Sequence, residues 1–386
     1  MKKALSVLLV LLSLSTLGWA APKGEIIKIG GIAELTGDMP AVGASFKNAA
    51  EMAVKEVNDA GGLQVGKKKV KVELVVEDNA GKADQSAAAA QKLITQDEVV
   101  AIVGPNASRY AIPASEVAES SETVLITPWS TNPKTTRDAN TNEPKQYVFR
   151  ACFIDPFQGK VLAKFAFNDM KANKAAVLYD VASDYNKGIA EVFKESFEKL
   201  GGKVVAFETY TTNDKDFSAQ LTKIKDAKPD VIFLPNYYSE VPLQVQQAHR
   251  LVITIPFLGS DSWGSSELLK LGGNELEGYY FSTHYAADNA TPVARKFIEN
   301  YKKAYNGTPD DVAALTYDSF GLLFTAIKNA GKTDRESIRE ALSKLPKYEG
   351  VTGDMMFQPG SGDPIKSAVI LQVKGDKFVY HSNANP

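Results

Sequence analysis

Apolar runs of strand length alternate along the chain with stretches in which apolar residues recur at helical spacing, the pattern of a parallel sheet covered by helices. The order occurs twice. In the first half a strand over Ile26 to Ile32 leads into the polar loop Glu34 to Val42 and a helix from about Ser45 to Ala60, which stops at Gly61-Gly62. A strand over Val70 to Glu77 and the turn Asp78-Asn79 follow, then short apolar strands over Val99 to Val103 and Val124 to Thr127. From Ala175 the order repeats: a strand to Tyr179, the loop Asp180 to Tyr185, a helix over Lys187 to Leu200, Gly201-Gly202, and a strand to Tyr210. Strands over Val231 to Leu234 and Pro256 to Gly259 complete the second set. A repeat on this scale predicts an α/β protein of two similar Rossmann-like lobes, with parallel-type sheets flanked by helices. The remainder has helical stretches at Pro292 to Tyr305, Asp311 to Ala330 and Asp334 to Leu345, then strands at Ala368 to Val373 and Lys377 to Tyr380. These pieces are too few for a third core, so the chain is expected to cross between lobes near 145, 282 and 353.

The first twenty residues do not belong to this pattern. Lys2 and Lys3 precede an apolar run from Ala4 to Leu17, with small residues Gly18 and Ala20 before Ala21-Pro22-Lys23. That is the arrangement of a cleavable export signal over 1–20, and the run is shorter than the roughly 20 residues of a membrane span. A periplasmic address is expected. With 386 residues the chain exceeds what one core usually organises. Its 44 basic and 46 acidic residues leave no basic excess for a nucleic-acid backbone. Cys152 is the only cysteine, so an intramolecular disulfide is excluded despite the oxidising compartment.

Ligands of open α/β sheets sit beyond the carboxyl ends of strands. That rule selects Glu34 to Val42, Asp78-Asn79, Gly104 to Ser108, Trp129 to Pro133, Asp180 to Tyr185, Asn236 to Glu240 and Ser260 to Gly264. Ser108 stands ahead of a helix-like stretch, Arg109 to Ser121, where free N–H groups favour a carboxylate; it can equally be a plain N-cap. Asp261 is the natural counter-charge for a ligand ammonium, or an ordinary loop aspartate. Tyr185, Tyr237, Tyr238, Trp129 and Trp263 can wall a cleft or pack one lobe on the other. No phosphate loop, dinucleotide fingerprint or nucleophile elbow is present, and His249, His284 and His381 lack metal-ligand spacing. Catalysis is therefore not expected, and no cofactor or metal is implied. Asp310-Asp311 reads as dipole compensation at a helix start.

With these loops in order, the chain resembles the periplasmic substrate-binding proteins of branched-chain amino-acid ABC transporters, the Leu/Ile/Val-binding type. The resemblance rests on Leu35-Thr36-Gly37, Asn58 to Gly62, Val103 to Ser108, Ile126 to Pro133, Gln158-Gly159, Asp180 to Tyr185, Lys215 to Phe217 and Gly353 to Asp363. It implies the type I periplasmic binding protein fold, with residues 24–145 plus 283–352 in one lobe and 146–282 plus 353–386 in the other, joined by three hinge crossovers. It implies a monomer that closes on an amino acid and hands it to transporter permease subunits in the inner membrane. It assigns Ser108 and Thr131 to the ligand carboxylate, with backbone at Trp129 and Thr131 assisting, and Asp261 to the ammonium. Tyr185 and Tyr237 close over the ligand, and Asn106 and Ala107 wall its side-chain end. Two departures bear on specificity: Val42 stands where relatives often have an aromatic wall, and Trp129 where they commonly have alanine or serine. Leu, Ile and Val are first guesses for the ligand. Relatives bind amides, urea or aromatic acids, so the same clamp with such a ligand, or one serving as a sensor, is the alternative; a hydrolase is the different-class reading.

Overall fold

The computed structural model describes residues 26–385. The expected export signal lies outside them. The first sheet holds β1 (Ile26–Ala33), β2 (Leu63–Val65), β3 (Lys68–Asp78), β4 (Ala101–Val103), β5 (Val124–Thr127) and β6 (Val148–Arg150), in the order β2-β3-β1-β4-β5-β6. The second is built from β7 (Lys174–Asp180), β8 (Lys203–Tyr210), β9 (Val231–Leu234), β10 (Phe257–Gly259) and β11 (Tyr280–Thr283). Between β11 and the end of the chain, β12 (Tyr348–Gly350), β13 (Gly353–Phe357) and β14 (Pro364–Ile365) form a small separate sheet. Finally β15 (Ala368–Lys374) and β16 (Lys377–Ala384) join the second sheet, giving β16-β15-β11-β10-β9-β7-β8.

The repeat read from the sequence is carried by strand order. Each sheet has a parallel core with its second strand outside its first and the next three following on the other side: β3-β1-β4-β5-β6 and β8-β7-β9-β10-β11. Both sheets are nevertheless mixed, because β2 pairs antiparallel with β3 and β15 antiparallel with β11 and β16. The short turns between β2 and β3 and between β15 and β16 allow only antiparallel pairing, whereas β15 reaches β11 after three intervening helices and the small sheet.

Two sequence boundaries move. Helix Pro40–Asp59 starts earlier than Ser45, since a proline at the first helical position costs no hydrogen bond. Val42 thus lies on a helix, wholly buried, rather than in the loop. Strand β6 completes the first sheet beside β5, so the chain leaves that sheet after Arg150, beyond the crossing expected at 145. The three helices after β11, Pro292–Tyr305, Asp311–Ala330 and Arg335–Ser343, serve the first lobe; Asp311–Ala330 packs along Pro40–Asp59.

Helix Asp184–Lys199 shows how packing delivers a site residue. Its buried positions are Tyr185, Asn186, Ile189, Ala190, Phe193 and Phe197, one stripe at helical spacing. Phe193 stacks on Phe233 of β9 with ring centroids 4.3 Å apart. A buried phenylalanine contributes about 1.5–3 kcal/mol through removal of apolar surface from water. Tyr185 is the first member of that stripe, so the periodicity that seats the helix also holds a phenol at the edge of the sheet.

Candidate functional site

The loop after β4 begins at Gly104, whose φ of +94° and contact with the Ile32 carbonyl leave no place for a Cβ. It ends at helix Ser108–Ser120, whose N-cap is Ala107, with no side-chain cap. The capping is done from β1's end instead. Glu34 Oε1 accepts the N–H groups of Asn106 (3.0 Å) and Ala107 (3.2 Å), and Oε2 accepts Asn106 Nδ2 at 2.7 Å. Burial raises the Glu34 carboxyl pKa, with these hydrogen bonds opposing. Ser108 is therefore released from the N-cap role weighed in the sequence. Its buried Oγ accepts from Ser130 Oγ at 3.0 Å and from the Asn132 N–H at 3.3 Å.

The loop after β5 is tied down on several sides. Thr127 Oγ1 donates to the Pro105 carbonyl at 2.6 Å, Trp129 Nε1 donates to Asp311 Oδ2 at 3.0 Å, and Arg150 donates to the carbonyls of Ser130 and Asn132. Thr131, between them, is fully buried; its Oγ1 makes no hydrogen bond of good geometry, though it is close enough to the Asp155 carboxyl to act on it. A hydroxyl left in that condition costs about 1–3 kcal/mol unless something else bonds it.

The second sheet contributes a carboxylate and two phenols. Asp261 Oδ1 accepts from Gln158 Nε2 at 2.8 Å and lies 2.6 Å from the Tyr185 hydroxyl, which is also 2.7 Å from Ser260 Oγ. Oδ2 lies 3.2 Å from His284 Nε2. Gln158 is oriented by the Asp261 N–H and by Ser282 Oγ, both bonding its Oε1. Burial lowers the His284 pKa, against the pull of Asp261, and the ring stacks on Phe153 at 3.8 Å. Tyr237 meets Tyr185 at 5.2 Å and, across the gap between sheets, Trp129 at 6.1 Å. Arg109 lies 5.0 Å from the Tyr237 ring and is ion-paired with Asp38.

Ala107, Ser108, Trp129, Tyr185, Tyr237, Asp261 and Ser262 together line a cavity between the sheets with about 10 Å³ of free space, room for about one water. Six of these seven were singled out in the sequence. Thr131 and Asn106 were too, but neither lines the cavity, and Asn106 is held back by Glu34. Glu34 and Ser262 lay in loops the sequence selected without being singled out, His284 was weighed only as a metal ligand, and Asp155 was missed. Asp155 opens helix Asp155–Lys164, donates its N–H to Thr131 O at 2.9 Å, and has both carboxyl oxygens buried without a hydrogen bond of good geometry. Burial first, and then Asp261, push its pKa up to about 8. Gln158-Gly159 was a visible signal for this helix; Asp155 itself reads as a helix-start aspartate and gives none. Among the described residues, no three His, Cys, Asp or Glu side chains are grouped to hold a metal, and no helix is long and apolar enough to cross a membrane.

Two sheets of matching strand order with a small, polar-ended cavity between their carboxyl edges define a two-lobed binding protein of the clamp class. Residues 26–377 match the family model described as periplasmic binding protein. The chain is 33% identical over 346 residues to Leu/Ile/Val-binding protein homolog 3 of Brucella melitensis, covering 89% of this chain and 90% of that one. Among solved structures, a leucine-binding protein LivK of Thermotoga maritima superposes with a TM-score of 0.87 at 35% identity, over 93% of this chain and 99% of its own. LivJ of Streptococcus pneumoniae in complex with isoleucine gives 0.86 at 32% identity, over 94% and 100%. The chain belongs to the periplasmic binding protein family.

Proposed function

We propose that this protein captures an amino acid in the cavity between its lobes and delivers it, as a monomer in the periplasm, to the permease of an ABC transporter. The observation that carries the reading is the make-up of the cavity: a hydroxyl, Ser108, on the first sheet's side and a buried carboxylate, Asp261, on the second sheet's side, with aromatic rings from both. An α-amino acid carries the matching charges a few ångströms apart. In this reading Ser108 and Thr131 take the ligand carboxylate, Asp261 takes the ammonium, and Tyr185 and Tyr237 cover the ligand as the lobes close. The relatives' names, leucine-binding and Leu/Ile/Val-binding, support the ligand class. Closure gives affinity because only the closed form lets both halves of the site touch the ligand. Nothing in the reading calls for catalysis.

The test is a thermal-shift screen of protein refolded to strip bound ligand, against amino acids, small amides and aromatic acids. A binder at one hundred times its Kd stabilises by about 2.7 kcal/mol through mass action. Asp261→Asn should weaken amino-acid binding by about 2–5 kcal/mol, because a buried charge partner is lost. A shift with amides or aromatic acids alone would replace the amino-acid reading.

A further inference from the structure

The cavity's polar members, Ser108, Asp261 and Ser262, are complementary to a zwitterion; its remaining members are Ala107, Trp129, Tyr185 and Tyr237. Trp129 is the bulkiest of these walls. That indole cannot swing aside freely. Its Nε1 donates at 3.0 Å to Asp311 Oδ2, which also accepts from Thr283 Oγ1 at 3.0 Å, and Trp129 is buried. Asp311 stands at the start of helix Asp311–Ala330, which fixes it to the first lobe, and its carboxyl also meets the second sheet's side, filling the space that a Cβ on Gly264 would need. Helix Asp311–Ala330 packs on helix Pro40–Asp59 and on β5. Trp129 and Asp311 thus belong to the same rigid body, and parting the lobes does not lift the indole off a ligand seated at Ser108. Across the cleft, Trp129 and Tyr237, with centroids 6.1 Å apart and planes inclined at 48°, are in contact and, in this arrangement of the lobes, leave no slot for a third ring.

We infer that Trp129, pinned by Asp311, is the specificity-determining residue of the site, and that it restricts the ligand to the smallest amino acids, of alanine and serine size. This rests on the amino-acid reading above. A branched side chain such as that of leucine has to overpack the indole, a penalty that tight cores do not absorb. Discrimination by a filled apolar pocket is worth about ten- to two-hundredfold per methylene.

The experiment is calorimetric titration of ligand-stripped protein with alanine, serine, leucine, isoleucine, phenylalanine and benzoate, repeated on Trp129→Ala and Trp129→Phe. The expected result is that alanine or serine binds the native protein at least about tenfold tighter than leucine. Trp129→Ala should reverse that order, and Trp129→Phe, which keeps a ring but loses the bond to Asp311, should fall between. Melting curves and circular dichroism show whether each variant is folded, and the native protein's own ranking decides the case if neither is. Leucine or isoleucine binding the native protein as tightly as alanine would overturn the inference and leave the amino-acid reading standing. A folded Trp129→Ala whose ranking is unchanged would overturn it as well. Benzoate binding with no amino acid bound would remove both.

Discussion

Asp155 and Asp261 lie close enough to influence one another, yet their surroundings differ. Asp261 is surrounded by Gln158, Tyr185 and His284, whereas the buried Asp155 oxygens make no hydrogen bond of good geometry, with Thr131 and Asn132 nearby. Burial raises Asp155 from an ordinary carboxyl value near 3.8 to about 8, with Thr131 first, then Arg150 and Asn132, pulling the other way. A carboxyl whose folded pKa lies above its unfolded one contributes stability that is complete below the unfolded value and lost as pH rises through the folded one. The unliganded protein should therefore lose stability relative to Asp155→Asn as pH rises from about 4 to about 8, the gap levelling off above that. Denaturant titrations of both proteins across this range measure it. The surroundings of Asp261 also explain why asparagine is the better probe there than alanine. Alanine would strand the amide of Gln158 and the hydroxyl of Tyr185 inside the protein and confuse a loss of binding with a loss of fold.

At the level of elements, the start of helix Ser108–Ser120 is organised from a distance. Glu34, at the carboxyl end of β1, takes the N–H groups of Asn106 and Ala107 that a local cap would otherwise satisfy. Parallel pairing of β1 with β4 brings Gly31 level with Val103, which puts the next residues of both strands at one edge. Glu34→Ala should cost about 1–3 kcal/mol for each donor it orphans, read in urea unfolding, and should weaken ligand binding by letting the Ser108 turn shift. Glu34→Gln retains an acceptor and should recover most of the loss. No local sequence rule finds this contact, because capping rules look three residues along the chain and this carboxylate comes from another strand.

For the whole molecule, the passage between lobes is anchored by a buried ion pair. Arg150, at the end of β6, bonds Asp363 through Nε at 2.7 Å while its other nitrogens hold the carbonyls on either side of Thr131. Asp363 comes from the return passage between β14 and the small sheet's β13, and Thr136 Oγ1 bonds it as well. One guanidinium thus ties two crossover segments to the loop expected to hold the ligand carboxylate. Removing one partner of a buried pair leaves an uncompensated charge, so Asp363→Ala should destabilise by about 3–5 kcal/mol. Binding should weaken with it, because Arg150, which anchors the Ser130 and Asn132 carbonyls, loses the carboxylate that holds it in place; equilibrium denaturation and titration of one preparation separate the two effects.

Alternation of apolar strands with amphipathic helices, repeated from Ala175, was enough to determine an α/β protein of two like lobes and to direct attention to the loops beyond each strand. Those are local properties, written in side-chain periodicity and in the placement of glycine and proline. Ser108, Trp129, Tyr185, Tyr237 and Asp261 were legible for the same reason: each follows a recognisable strand end. The tertiary structure alone decided the rest. It placed Val42 inside a helix, gave β6 to the first sheet, exchanged Ser108's capping role for Glu34, and set Asp311 behind Trp129 at a separation of 182 residues. Such pairings depend on sheet register and on helices packed from remote parts of the chain, which no sequence period encodes.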